Sequence, residues 1–154
     1  MKVVLIACIA ANGVIGKNGK LAWNVPAEMQ HFLEKVGSSQ VICGRTTGMK
    51  LPNSFLKNRC VVEISRYNTK IMDLKDALLY CERNNKYPNV AYIIGGAKTY
   101  DNALAEGVVD EMVLSYLPDE YSGDCYFPQV NWNEWQPVSE IQKDGFIVKT
   151  YTKK

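Results

Sequence analysis

Hydrophobic residues form four short, nearly uninterrupted runs in the first two thirds of the chain. The runs cover residues 3–10, 40–43, 60–64 and 90–94. An apolar run of about four to eight residues is typical of a strand that is covered on both faces. The pattern therefore predicts four buried strands.

Between these runs, apolar residues recur at helical spacing. Helices are predicted over residues 26–36, shortly after Arg45, over 74–84 and over 97–105. Strands that alternate with helices favour a mostly parallel sheet with helices on both sides.

The carboxyl-terminal part of the chain lacks this alternation. Strands are predicted over residues 111–117, 135–142 and 145–151, and the turn sequence Lys143-Asp144-Gly145 joins the last two as a hairpin. We expect an α/β fold in a single domain spanning residues 1–154. Its central, mostly parallel sheet should have about eight strands, with antiparallel carboxyl-terminal strands and about four flanking helices.

Composition and charge narrow the classes of function. The 154 residues are 47% hydrophobic and 22% charged, which is ordinary for a globular domain. The net charge is +2 and the basic residues are scattered, so nucleic-acid binding is not expected. No apolar run approaches the roughly 20 residues that cross a bilayer, and residues 1–11 lack a cleavage-site pattern, so we expect neither a membrane span nor a secretion signal.

The cysteines and the histidine argue against two further kinds of chemistry. The five cysteines include no C-x-x-C pair. Free thiols in a reducing cytoplasm are favoured over disulfides or a metal site. His31 is the single histidine, is predicted to face solvent, and has no accompanying nucleophile motif. Hydrolytic catalysis is therefore not expected.

Glycine and polar residues follow each apolar run. The pairs are Asn12-Gly13, Gly44-Arg45, Ser65-Arg66 and Gly95-Gly96. Ligands of open α/β sheets bind at the carboxyl ends of the strands, and these residue types suit a phosphate-bearing ligand. Turns are needed at these places in any case, so each pair alone is also explained as an ordinary loop.

Glu28 lies in the first turn of the predicted helix over residues 26–36, beside an apolar stripe that includes Met29 and Phe32. Two interpretations fit this position. The carboxylate could simply complement the helix dipole. Alternatively, it could lie at the mouth of an apolar pocket, with a raised pKa, and hold a hydrogen-bond-donating heterocycle.

Five motifs, in order along the chain, resemble those of the dihydrofolate reductase family. The first strand with Gly13-Val14-Ile15-Gly16 looks like the family's first strand and the start of its mobile loop. Residues 21–28 are similar to L-P-W-x-x-P-x-[DE], 41–47 to V-x-x-G-R-x-T, 93–100 to I-G-G-x-x-x-Y and 123–128 to G-D-x-x-F-P. The resemblance covers nearly the whole chain. It implies NADPH-dependent reduction of 7,8-dihydrofolate to 5,6,7,8-tetrahydrofolate, which supports one-carbon metabolism and thymidylate synthesis.

The resemblance also implies residue roles in substrate binding and catalysis. Glu28 would hold the pteridine N3 and 2-amino group, Ser115 would bond the same amino group, and Arg59 would bind the α-carboxylate of the glutamate tail. Catalysis is assigned to Glu28, Trp23 and Ser115. The implied folate-binding residues are Ile6, Cys8, Glu28, Met29, Phe32, Leu56, Arg59 and Ser115.

For the cofactor, the family resemblance implies a site along the strand ends. Ser65 and Arg66 would hold the 2′-phosphate of NADPH, and the Gly95–Gly96 peptide is cis in the family. The implied cofactor-binding residues are Ala7, Cys8, Ile15, Gly16, Leu21, Gly44, Arg45, Thr46, Thr47, Ser65, Arg66, Ile94, Gly95, Gly96, Ala97, Lys98, Thr99, Tyr100 and Asp124.

Some positions depart from the family pattern, notably Ala22, Gly48, Ala97 and the stretch 49–55. A rival is the pyrimidine reductase of riboflavin synthesis, which lacks the segment matched by residues 23–28; another is a relative that has lost catalysis. We expect a cytoplasmic monomer whose partner is the small molecule dihydrofolate.

Overall fold

A seven-stranded sheet forms the centre of the molecule in the computed structural model, which describes residues 1–18, 21–57, 59–65, 71, 73–84 and 86–154. Its strands are β1 (Lys2–Ile9), β3 (Gln40–Gly44), β4 (Val61–Ile64), β5 (Val90–Ile93), β6 (Glu111–Tyr116), β8 (Trp135–Gln142) and β9 (Ile147–Lys153). Their order is β4-β3-β5-β1-β6-β9-β8. The first five strands in this order are parallel to one another, and β9 is antiparallel to both β6 and β8.

Two short strands, β2 (Val14–Gly16) and β7 (Cys125–Tyr126), pair antiparallel in a separate small sheet. The described residues also form five helices: α1 (Pro26–Val36), α2 (Arg45–Lys50), α3 (Asn53–Lys57), α4 (Leu74–Arg83) and α5 (Ala97–Ala105). None of the helices in these residues is long and apolar enough to span a membrane.

Both faces of the central sheet are buried. Leu5 of β1 contributes to a cluster that includes Ala77 of α4 and Ala103 of α5. Ile6, the next residue, contributes to a second cluster with Val36 of α1 and Phe55 of α3. Alternate side chains of a strand point to opposite faces, so the nearly continuous apolar run of β1 is the pattern that two covered faces require.

Local signals set the ends of several elements. The Asp73 side chain accepts a hydrogen bond from the Asp76 N–H at 2.9 Å and caps α4. Pro26 begins α1, where a missing N–H does no harm. Gly145 has a φ of 86° in the β8–β9 turn, a conformation that favours glycine, and the Lys143 N–H donates to the Phe146 carbonyl at 2.8 Å.

The predicted α/β fold with a mostly parallel sheet is confirmed, and so are the helices on both sides and the final hairpin. The details differ in the short elements. The central sheet has seven strands rather than eight, and α3 is an additional helix. A five-residue helix and strands of two or three residues are too short to show a periodicity in the sequence.

The prediction that His31 faces solvent is wrong. Its ring is half-buried and lies 5.8 Å from the Phe146 ring, between centroids. Burial is the main cause that lowers the His31 pKa. A helical wheel of α1 shows only which side chains share a face of that helix. It cannot predict the contact with Phe146, which lies more than 100 positions away along the chain.

Candidate active site

The carboxyl ends of five parallel strands meet along one edge of the central sheet. On the two central strands, Cys8 of β1 is in register with Ser115 of β6. On the other side of β1, the Gly44 N–H at the end of β3 donates to the Gly95 carbonyl after β5 at 2.9 Å. This edge therefore brings together residues from distant parts of the sequence, as the parallel sheet predicted.

Glu28 is buried beside this edge, although it lies in the first turn of α1. Only 6% of its surface is exposed. Burial raises the pKa of its carboxyl group, while interactions with Ser115 and then Cys8 act in the opposite direction. The helix dipole does not require such burial, so the geometry favours the pocket interpretation over a solvent-facing helix cap.

Two polar groups near Glu28 are buried without a partner at full hydrogen-bond geometry among the described residues. They are the Ser115 hydroxyl and the indole N–H of Trp23, whose residues are 1% and 8% exposed. A buried polar group without a partner costs about 1–3 kcal/mol. Groups of this kind indicate a place where a polar ligand forms hydrogen bonds.

A cavity of about 360 Å³ opens next to the acid. It is lined by Glu28, Trp23 and mainly apolar neighbours: Leu21, Asn24, Val25, Pro26, Met29, Gln30 and Leu33. A larger cavity of about 610 Å³ runs along α4 and shares no lining residue with it. The smaller one has the combination expected of a ligand site, which is an apolar wall with a few polar groups.

An aromatic wall connects the acid to a cation. Phe32 of α1 stacks on Phe55 of α3 with 5.9 Å between ring centroids. The Arg59 guanidinium carbon lies 4.4 Å from the centroid of the Phe55 ring, and its Nε donates to the Gly37 carbonyl at 3.0 Å. An acid at one end and a guanidinium at the other suit a ligand with a donor-rich ring and an anionic tail.

Ile6 belongs to the same buried cluster as Phe55 and Phe32, and Met29 lines the cavity beside Glu28. Ile6 is buried, whereas Met29 and Leu56 are exposed. Phe55 was missed by the sequence analysis. Phe55 lies four residues after Leu51, a spacing that indicates one face of a helix. Helix α3 has only five residues, so this periodicity is too short to predict the helix or its buried face.

A second group of predicted residues forms a cradle of glycines and hydroxyls. The Gly95–Gly96 peptide is cis, as expected. A Cβ atom added at Gly44 would lie 3.0 Å from Thr99 Oγ1, and one at Gly96 would lie 3.3 Å from Thr47 Oγ1. Gly96 also begins α5 without a side-chain cap, which leaves N–H groups of the first turn available to an anion. The cradle fits a phosphate-bearing cofactor.

Tyr100 links this cradle to the central strand. Its hydroxyl is buried and donates to the Ile6 carbonyl at 2.7 Å. Burial is the main cause that raises the pKa of the phenol, which therefore stays neutral. Tyr100 thus holds the start of α5 against β1, between the two groups of predicted residues.

Other predicted cofactor residues lie around the cradle. Ala7 and Gly16 are buried, Ile15 and Ile94 are half-buried, and Leu21 and Lys98 are exposed. Arg45, Thr46 and Ala97 lie in the first turns of α2 and α5. The Ser65 N–H donates to the Ile71 carbonyl at 3.1 Å. Arg66 lies outside the described residues.

Asp124 has a different kind of contact from the other predicted cofactor residues. Its carboxylate accepts from the Asn18 N–H at 3.1 and 3.2 Å, and its own N–H donates to the Gly16 carbonyl at 3.1 Å. These bonds fix the loop that follows β2. The structure therefore places Asp124 as an anchor of that loop.

Comparison with known proteins gives consistent results. The dihydrofolate reductase family profile matches residues 2–151. Dihydrofolate reductase of Ureaplasma parvum is 31% identical over 158 residues, covering 97% of this chain and 96% of the relative. That of Bacillus subtilis is 30% identical over 145 residues, with 89% and 82% coverage.

A solved structure shows the same fold. It is dihydrofolate reductase from Enterococcus faecalis complexed with NADP(H) and RAB-propyl, with a TM-score of 0.82 and 22% identity. The match covers 99% of this chain and 96% of that one. At this identity, the likeness extends to the arrangement of strands and helices.

Proposed function

The chain belongs to the dihydrofolate reductase family and reduces 7,8-dihydrofolate to 5,6,7,8-tetrahydrofolate with NADPH, and we propose that Glu28 is the acid of this reaction. The main support for this proposal is the burial of Glu28 near the Ser115 hydroxyl and the Trp23 indole, which lack a partner at full hydrogen-bond geometry among the described residues. A pterin ring offers the donors and acceptors that these groups lack. No cysteine or histidine chemistry is needed.

On the substrate side, residues of this chain bind dihydrofolate and orient its pterin ring. The Glu28 carboxylate accepts from the pterin N3 and 2-amino group, and Ser115 adds a bond to that amino group. Ile6, Met29, Phe32 and Leu56 pack against the ring and its linker, and Phe55 supports Phe32. Arg59 binds the anionic tail through the guanidinium N–H groups that its bonds to the Gly37 and Phe55 carbonyls leave available.

The residues of the cradle align the second reactant. When bound, NADPH supplies the hydride that reaches C6 of the substrate. Thr47, Thr99 and the N-terminal N–H groups of α5 would hold its phosphates, and Ala7, Ile15 and Gly16 would border its nicotinamide. Holding both reactants in one orientation lowers the entropic part of the barrier.

Glu28 also controls the proton that N5 must gain. Its carboxylate binds N3 and the 2-amino group of the pterin and so does not reach N5 directly. It therefore acts on N5 through water and through its charge. Its raised pKa increases the fraction of the acid form near neutral pH. Leu21 and Trp23, beside the cavity, help to exclude bulk water from the reacting atoms.

We also propose that the protein acts as a cytoplasmic monomer and forms a single domain over residues 1–154. The free cysteines suit a reducing compartment. Strand β1 from the amino terminus lies between β5 and β6, which supports one folding unit. Sedimentation at the mass of one chain checks the oligomeric state.

Isotope transfer tests the reaction. The purified protein should oxidise NADPH only when dihydrofolate is added, and deuterium from the transferred C4 position of NADPH should appear at C6 of the product. The control substrate is the aminopyrimidine intermediate of riboflavin synthesis. Reduction of that compound without reduction of dihydrofolate would assign the protein to the rival activity.

A further inference from the structure

Cys8 places a thiol next to the buried acid. It lies on β1 in register with Ser115 of β6, and because the two strands are parallel, both side chains project from the same face of the sheet. Cys8 packs against the buried cluster that contains Trp23 and Val36 of α1, the helix that carries Glu28, and its interaction with Glu28 lowers the pKa of that carboxyl group. Two donors therefore act on the acid, the Ser115 hydroxyl and the Cys8 thiol, and the Trp23 indole lines the same cavity.

The surroundings of this thiol indicate that it serves a ligand site. Ser115 and Trp23 are both more than nine-tenths buried, and their Oγ and Nε1 atoms lack a partner at full hydrogen-bond geometry among the described residues. Ser115 is in register with Cys8, and Trp23 lines the same cavity as Glu28. The influences on the acid in this part of the chain are burial, Ser115 and Cys8, with no cation among them. Among the described residues no positive charge compensates the carboxylate, and a donor to it therefore stabilises its charged form.

From this geometry we propose that Cys8 is a positioning residue for the reaction, whose S–H group donates to the Glu28 carboxylate, fixes its orientation and favours its ionised form. The inference rests on the proposed role of Glu28. It assigns to the thiol a function beyond packing in the site.

Cys8 can act as a donor because it keeps its proton. Burial, followed by the charge of Glu28, raises the pKa of the thiol. Among the described residues, Tyr100 of α5 also interacts with Glu28, and its pKa is raised as well, mainly by burial. Both groups stay neutral at neutral pH, so Glu28 is the one of these three groups that changes charge below that pH range.

Substitution of Cys8 separates donation from packing. Cys8→Ala removes the donor, and the Glu28 carboxyl group should then titrate at higher pH than in the wild type. Cys8→Ser keeps a donor of similar size and should titrate at the wild-type pH or below. Cys81→Ala is the matched control, because Cys81 is a buried thiol of α4 far from this edge, and it should leave the titration unchanged.

Two readouts report the shift. The pH dependence of kcat/KM for dihydrofolate follows the acid in the working enzyme. The carboxyl carbon resonance of Glu28 in the protein without NADPH follows it independently of turnover. If Cys8→Ala titrates at or below the wild-type pH, or if Cys8→Ser behaves like Cys8→Ala, the inference is overturned. A merely structural role would lower activity without moving either titration.

The design also distinguishes this inference from the proposed function. A wild-type protein that fails to reduce dihydrofolate would refute the proposed function, whereas the carbon titration would still decide the role of Cys8. If Cys8→Ala fails to fold, Cys8→Ser carries the test. Its Glu28 resonance must then titrate no higher than in the wild type, and a higher value overturns the inference.

Discussion

The buried position of Glu28 lowers the stability of the fold but suits the binding of a pterin ring. The carboxylate is nearly fully buried, and its pKa is raised mainly because burial disfavours the charged form. Ser115 and Cys8 offset part of that effect. A buried acid with no cation among the groups that shift its pKa in the described residues is the kind of perturbed group that functional sites retain.

This burial predicts a pH-dependent gain in stability for Glu28→Gln. A carboxyl group whose pKa is raised on folding contributes its full stabilisation below the pKa that it has in the unfolded chain. That contribution is lost as the pH rises through its pKa in the folded protein. The amide of glutamine does not ionise, so the variant does not lose stability in this way. In urea unfolding, the stability of Glu28→Gln relative to the wild type should therefore increase from about pH 5 to about pH 8. A difference that does not vary with pH would contradict the burial of a charged group.

The sequence predicted the positions of some site residues correctly and others incorrectly. Glu28, Trp23 and Ser115 were predicted from motifs, and the structure brings them together. His31 was placed wrongly, and Phe55 was missed. Both errors concern contacts with elements distant along the chain, namely Phe146 of the hairpin and the aromatic wall formed with Phe32. A single helical wheel contains no information about such partners.

The small sheet of β2 and β7 positions the loop beside the cofactor residues. Val14 pairs with Tyr126 and Gly16 with Cys125, and Asp124 holds Asn18 just after β2. Gly123 precedes this pairing without room for a side chain. An added Cβ would lie 2.5 Å from the Gly16 carbonyl oxygen and would also strike the Val14 side chain.

Gly123→Ala should therefore destabilise the protein by about 1–3 kcal/mol, the usual cost of overpacking. The displaced Gly16 should also weaken NADPH binding. Urea unfolding and a fluorescence titration with NADPH measure the two effects. Ser122→Ala, at the exposed neighbouring position, is the control and should change stability by less than about 0.5 kcal/mol. Equal behaviour of the two variants would show that the small sheet tolerates the added methyl group.

At the level of elements, length decided what could be predicted. Strand β1 and helix α4 give strong signals in the sequence because both are long. Strand β1 is buried on both faces and reads as a continuous apolar run, whereas α4 is buried on one face and shows a helical periodicity. The pairing of β2 with β7 joins segments about 110 residues apart, and neither strand exceeds three residues. Their association depends on tertiary contacts that no local pattern contains.

The topology of the whole molecule gathers the site at one edge. Strand β1 lies between β5 and β6, so Cys8 adjoins Ser115 on one side and the end of β5 lies on the other. Helix α1 then covers this edge with Glu28, and α5 begins at the twin glycines. The acid and the phosphate cradle are thus separate structures that the parallel sheet brings side by side.

The most direct test of this arrangement is kcat/KM for dihydrofolate, with saturating NADPH at neutral pH, in Glu28→Gln and in Glu34→Gln. The second variant makes the same acid-to-amide change at an exposed position of α1. Glu28→Gln should lose about a hundredfold or more, in the range of general acid–base catalysis. It should bind NADPH with nearly unchanged affinity, and Glu34→Gln should match the wild type. Full activity of Glu28→Gln would contradict the role given to the buried acid.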